Sequence, residues 1–164
     1  MRLLTAINIR LAQGILAVAG TALTALGLIV IYGVVLRYAF SDAPPYVEQV
    51  ALLLVISVAM FGAAAGVRES GHIGLDSVVK KLPLKAQAFC TILAEILILT
   101  FAMMLFWGSL EMAISTYEST IPTLGISEAW RYFPPIVAAV LIALFAIEHL
   151  LSLLTSESGT TSWN

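Results

Sequence analysis

Four stretches of this chain are apolar on every face, without the polar stripe of a helix that lies on a soluble core, and each is about as long as a bilayer is thick. The first, 14–36, carries no charge over 23 residues. At ~1.5 Å per residue it reaches about 34 Å, enough to cross a hydrocarbon core of ~30 Å. The others lie at about 46–67, 86–110 and 130–154. Pro44-Pro45 marks the start of the second, and Pro83 breaks the chain before the third. Trp130, Tyr132 and Phe133 gather at one end of the fourth, where aromatic rings favour the bilayer interface. Pro134 and Pro135 either open that helix or kink its first turns. The pattern predicts an all-α integral membrane protein, with residues 1–164 forming a single four-helix membrane domain. Residues 155–164, rich in Ser, Thr and Gly, read as a loose tail.

Composition agrees and narrows the function. Of 164 residues, 60% are hydrophobic and 11% charged, where a soluble domain has roughly 25% charged residues. Four spans with short loops leave no room for a soluble catalytic domain. The net charge of −2 and the scatter of Lys and Arg along the chain argue against nucleic-acid binding. A single cysteine, Cys90, excludes a disulfide framework and a Cys-x-x-Cys redox pair, and reads as a small buried hydrophobe. Arg2, Arg10 and Ala17-Val18-Ala19 resemble the parts of a secretory signal, but apolar sequence continues well past that point, so the first run reads as a span.

Orientation follows from the basic residues. Arg2, Arg10, Arg68, Lys80, Lys81 and Lys85 fall on one side of a four-span arrangement, and Arg37 and Arg131 on the other. Short basic loops stay in the cytoplasm, which predicts that both termini are inside. The connections 37–48 and 117–128 then face outward.

Between the second and third spans lies Arg68-Glu69-Ser70-Gly71-His72-Ile73-Gly74-Leu75-Asp76, the densest cluster of ionisable and turn residues. Beyond it, Leu75, Val78, Val79 and Leu82 share one helical face, while Asp76, Ser77, Lys80 and Lys81 take the others. This predicts a short interfacial amphipathic helix at about 74–82, with Lys80 and Lys81 toward anionic headgroups; a solvated linker turn is the plainer alternative. Small residues form two stripes: Gly62 and Gly66 with Ala59, Ala63, Ala64 and Ala65, and Ala17, Thr21 and Ala25. Such stripes let a second backbone come close, in this chain or in another subunit.

Charged groups at membrane depth are costly and draw attention. Glu48 and Glu111 lie near the outer interface. Glu95 is deeper, about nine residues or ~14 Å into its span, so it needs a partner or a proton. It reads either as a proton or cation site or, by preference, as a carboxylate paired with an arginine in this chain or in another subunit. Glu148 and His149 are adjacent, point about 100° apart, and read as interface positions rather than a relay. No Gly-x-Ser-x-Gly, His-Glu-x-x-His, phosphate-binding glycine loop or intramembrane aspartate pair is present, and the two histidines do not suit haem. Enzyme and cofactor chemistry are not expected. The chain shows no internal repeat and few midplane polar groups, features that transporters working alone commonly use.

The residues also carry a resemblance. Leu36-Arg37-Tyr38-Ala39-Phe40, followed by Pro44-Pro45-Tyr46-Val47-Glu48-Gln49, resembles a pattern in the small permease subunit of tripartite ATP-independent periplasmic (TRAP) transporters. That pattern is Leu-Arg-Tyr-x-Phe and then Pro-Trp/Tyr-x-Glu-Glu. Gly62-Ala63-Ala64 and the Arg68 to Asp76 cluster are similar to its Gly-Ala-Ala and Arg-x-Gly-x-His-Ile-x-Val/Leu-Asp segments, and Pro122-Thr123-Leu124-Gly125-Ile126-Ser127 to its third loop. Gln49 departs, since the family often has a second glutamate there.

The resemblance implies a scaffold in the bacterial inner membrane. Its partners would be a large elevator subunit holding the substrate and sodium sites, a periplasmic substrate-binding protein and membrane phospholipids. Substrates would be organic anions such as dicarboxylates or sialic acid. No catalytic, cofactor, metal or substrate-binding residue is then expected in this chain. Arg37, Glu48, Gly62, Gly66, Arg68, Glu69, His72, Asp76, Lys80, Lys81 and Glu95 would serve the fold, the subunit contact or lipid contacts. Asp42, Glu118 and Glu128 would be contacts for the binding protein, or simply solvated loop charges. The alternative from another class is an autonomous homo-oligomeric transporter or channel with Glu95 lining its path.

Overall fold

The structure is a computed structural model and describes residues 2–42, 44–69 and 83–157. Four long helices carry the chain: α1 Arg2–Ala39, α2 Pro45–Glu69, α3 Leu84–Ser115 and α4 Phe133–Glu157. A 3₁₀ helix, Glu128–Tyr132, leads into α4. Each of the four contains a segment long and apolar enough to cross a membrane. Among the described residues there is no strand, only an isolated antiparallel bridge between Thr120 and Ser127. The surface helix expected at 74–82, with His72, Asp76, Lys80 and Lys81, lies outside the described residues, as do 158–164.

Helix ends differ from the apolar limits. α1 begins at Arg2 rather than near Gly14, α3 runs on to Ser115, and α4 runs to Glu157, so Thr155 to Glu157 are helical rather than tail. Hydropathy marks the part of a helix that sits in hydrocarbon, whereas backbone bonding continues into the polar region until something caps it. Pro134 and Pro135 open α4. They occupy its first turn, where a missing N–H leaves no intrahelical bond unmade and a fixed φ suits the start.

The helices are ordered α1, α2, α4, α3 rather than closed into a ring. α4 is central, with α2 on one side and α3 on the other. α1 packs along α2 and meets α4 only briefly, and α3 approaches neither α1 nor α2. Each helix gives one alanine to the common core: Ala12, Ala64, Ala102 and Ala138. Without a hydrophobic drive between helices in lipid, close backbone approach and dispersion hold the set together. Leu141, Ile142 and the fully buried Phe145 fill the space between them. Outward, Leu28, Ile31, Leu97, Met104 and Trp107 are exposed, as expected where the surrounding solvent is lipid.

The turn from α1 into α2 is tight. Asp42 N donates to Leu36 O at 3.1 Å across Ser41, whose φ of 53° is left-handed, so the chain turns back onto the last turn of α1. Pro45 then opens α2 as its first residue. Just below, a Cβ on Gly33 would stand 2.8 Å from Val47 Cγ1, and Val47 is itself buried. Val47 is β-branched and stiff, so it cannot swing aside freely. Gly33→Ala is expected to destabilise the chain by about 1–3 kcal/mol through overpacking, read as a lower melting temperature in detergent. An unchanged melting temperature would mean that α1 and α2 part there at no cost.

Candidate functional site

Polar side chains gather at the two ends of the helix set. At the end that holds Asn8, α4 links its neighbours through two adjacent residues. His149 Nδ1 lies 3.2 Å from Glu95 Oε1 on α3, and Asn8 Nδ2 on α1 donates to Glu148 Oε2 at 2.6 Å. Their roughly 100° divergence is what lets neighbouring residues serve two different helices. Glu95 is only 2% exposed and Asn8 6%. Which of the two atoms donates in the Glu95 contact depends on the tautomer of the imidazole. Arg68 of α2 reaches the same region, its guanidinium 5.9 Å from the centre of the Phe145 ring, a cation–π distance. Arg68 Nε and Glu95 Oε2 are buried without a hydrogen-bond partner among the described residues.

Within this chain Glu95 meets a histidine and not an arginine, because α4 stands between α3 and α2 and its side chain reaches the carboxylate first. The His149 ring is mostly covered by the protein. Asn8 was overlooked because it precedes the first apolar run. Its signal was the spacing Asn8, Ala12, Ile15, Ala19, which is one helical face.

At the other end, Arg37 in the last turn of α1 meets Glu48 in the first turn of α2 at 3.2 Å. Each charge also suits its helix dipole. The two side chains are 59% and 71% exposed, so the pair is worth no more than about 1 kcal/mol. Arg131 is better placed. Its Nη1 donates to Glu128 Oε1 at 3.0 Å and its Nη2 to Gln49 Oε1 at 2.7 Å, tying the 3₁₀ helix to α2. Glu128 is thus engaged within the chain, while Asp42 and Glu118 are exposed.

The connection between α3 and the 3₁₀ helix is ordered by its own backbone. Ile121 N donates to Ile126 O at 2.8 Å, and Gly125, at φ +66°, donates to Ile121 O at 2.9 Å. Ser127 Oγ donates to Tyr117 O at 2.7 Å and accepts from Ala129 N, capping the 3₁₀ helix. Buried Ile121 anchors the loop. Arg131→Lys, which keeps the charge but loses the planar fork, is expected to cost about 1–3 kcal/mol. Limited proteolysis should then cut residues 116–128 faster, and unchanged cleavage would show that Arg131 does not hold the loop.

The small residues divide. Ala64 and Ala65 are buried inside the helix set, but Gly62 is exposed, and a Cβ at Gly62 or Gly66 would meet nothing within 4 Å. Ala17, Thr21 and Ala25 are exposed as well, while Ala12 and Ala19 face inward. Thr21 satisfies its hydroxyl on Val18 O at 2.9 Å, within its own helix. Among the described residues no group of three or more His, Cys, Asp or Glu could hold a metal.

Residues 26–156 match the family model described as the DctQ component of tripartite ATP-independent periplasmic transporters. The chain belongs to the DctQ family. A putative TRAP transporter small permease protein of Haemophilus influenzae is 27% identical over 130 residues, 79% of this chain and 81% of that protein. A second from the same organism is 25% identical over 112 residues, 68% of each chain. The sialic acid TRAP transporter small permease protein SiaQ of Vibrio cholerae is 25% identical over 126 residues, 77% of this chain and 73% of its own. As a DctQ protein the chain is a multi-pass transporter subunit and not an enzyme. On this chain, the resemblance at Leu36 to Gln49 coincides with the Arg37–Glu48 contact and the Gln49–Arg131 bond.

Proposed function

We propose that this chain is the fixed small subunit of a sodium-coupled TRAP transporter for organic anions of the dicarboxylate or sialic acid type, set in the bacterial inner membrane. It braces the large elevator subunit and offers its outer loops, with Asp42 and Glu118, to a periplasmic binding protein. Its termini face the cytoplasm, in keeping with the six-to-two division of basic residues. Sodium and substrate bind in the large subunit.

The observation that supports a brace is how the buried polar groups are used. Glu95, the acid at membrane depth, is 2% exposed and held by His149 across two helices. A carboxylate lining an ion path has to face water, so this placement favours a clasp between helices over the channel alternative. The groove between α3 and α4 is walled by apolar side chains, among them Ala102, Phe106, Ala139 and Ile147.

Reconstitution tests the reading. The chain alone in proteoliposomes is expected to move no organic anion, and uptake should appear only with the large permease, its binding protein and a sodium gradient. Uptake by the chain alone would overturn it.

A further inference from the structure

The geometry points to a binding site for one anionic membrane lipid in the groove between the first half of α1 and the α2–α4 pair, with Arg10 holding the phosphate. The groove has a volume of about 440 Å³, within the ~300–1,000 Å³ range of sites that hold small molecules. Leu11, Gly14 and Val18 of α1, Phe61 of α2 and Val137 of α4 wall it, and Arg10 stands at one end as its single charged group among the described residues. Gly14 has open space where a Cβ would stand. No other part of the described chain fills the groove at that point.

Arg10 turns away from the polar contacts at its own end. Asn8, Ala12 and Ala19 are buried against the other helices, and Glu148 is taken by Asn8. Arg10 is exposed and has no carboxylate partner among the described residues. From Arg10 to Val18 the wall runs about 12 Å along the helix axis, from a charged rim into the apolar part of the span. One guanidinium above a long apolar trough suits an anionic headgroup with an acyl chain beneath it, since the planar fork can take two phosphate oxygens. A soluble anion would face an apolar wall. An apolar helix in the groove would leave the arginine uncompensated. The site rests on the membrane span and the groove, independently of the transport reading.

Native mass spectrometry of the purified, delipidated full chain tests this, with phosphatidylglycerol and phosphatidylcholine of equal chain length as probes. One phosphatidylglycerol should bind about fivefold more tightly than phosphatidylcholine, the effect of one basic side chain near an anionic headgroup. Arg10→Gln, an exposed change, should bring the two lipids level. Val18→Trp, which fills the trough, should weaken both, and glycerol phosphate should not compete. Wild-type lipid binding by either variant, or displacement by glycerol phosphate, would overturn the proposal. So would a photo-crosslinker at position 14 in the assembled transporter that captures a permease helix instead of lipid.

Discussion

His149→Leu is expected to destabilise the chain by about 3–5 kcal/mol, because it leaves the Glu95 carboxylate buried without its imidazole partner. The hydrogen bond alone would predict less, since polar contacts between membrane helices average only ~0.6 kcal/mol and reach ~1.7. The larger figure applies because the acid that remains cannot reach water: it is 2% exposed, and its second oxygen is already without a partner among the described residues. His149 also has a contact besides Glu95, so the single variant does not isolate the pair. A double-mutant cycle does. Glu95→Leu with His149→Leu is expected to recover most of the loss, because replacing both members of a buried pair by apolar groups is often close to neutral. Melting of the four proteins in detergent measures it. A double variant as unstable as the sum of its parts would show that the two side chains act separately.

The four spans and their order were legible because a bilayer demands ~20 predominantly apolar residues in each crossing helix, and the chain supplies them in four blocks that few charges interrupt. The ends of the helices were less so, since Asn8 belongs to a helix whose apolar part has not yet begun, and Ser115 and Glu157 continue helices whose apolar part has already ended. Neighbour relations were not legible at all. Nothing in an apolar run says that α4 rather than α3 packs beside α2. Arg68, the basic residue nearest that end of α2, lies on a helix that α3 does not touch.

Depth could have corrected the partner. Glu95 lies nine residues from the expected inner end of its span and His149 five from that of the fourth, so at ~1.5 Å per residue their levels differ by only about 6 Å. Arg131 shows a different limit. Its bond to Gln49 joins residues 82 positions apart, and no local pattern announces such a pair. Gln49, noted only as a departure from the family pattern, proves to be a neutral acceptor for Arg131, and Glu128 supplies the carboxylate.

Gly62→Leu is expected to leave the isolated chain folded and to reduce its recovery with the large permease at least ~10-fold, which corresponds to about 1.4 kcal/mol of binding. The first half follows from space and propensity. No described residue lies within 4 Å of the added Cβ, and leucine is the better helix former by about 0.8 kcal/mol. The second half follows from what the glycine would be for. Gly62, with exposed Ala59 and Ala63 beside it, presents a nearly bare stretch of helix backbone on the side of α2 away from its buried Ala64 and Ala65. In lipid, such a surface gains from a second backbone at close range more than from disordered acyl chains, and a leucine would hold that backbone off. Gly108→Leu supplies the comparison, because Gly108 on α3 is equally open. If α2 carries the contact, Gly108→Leu should co-purify normally with the permease. Normal assembly of Gly62→Leu together with failure of Gly108→Leu would move the interface to α3, and normal assembly of both would leave these glycines to lipid.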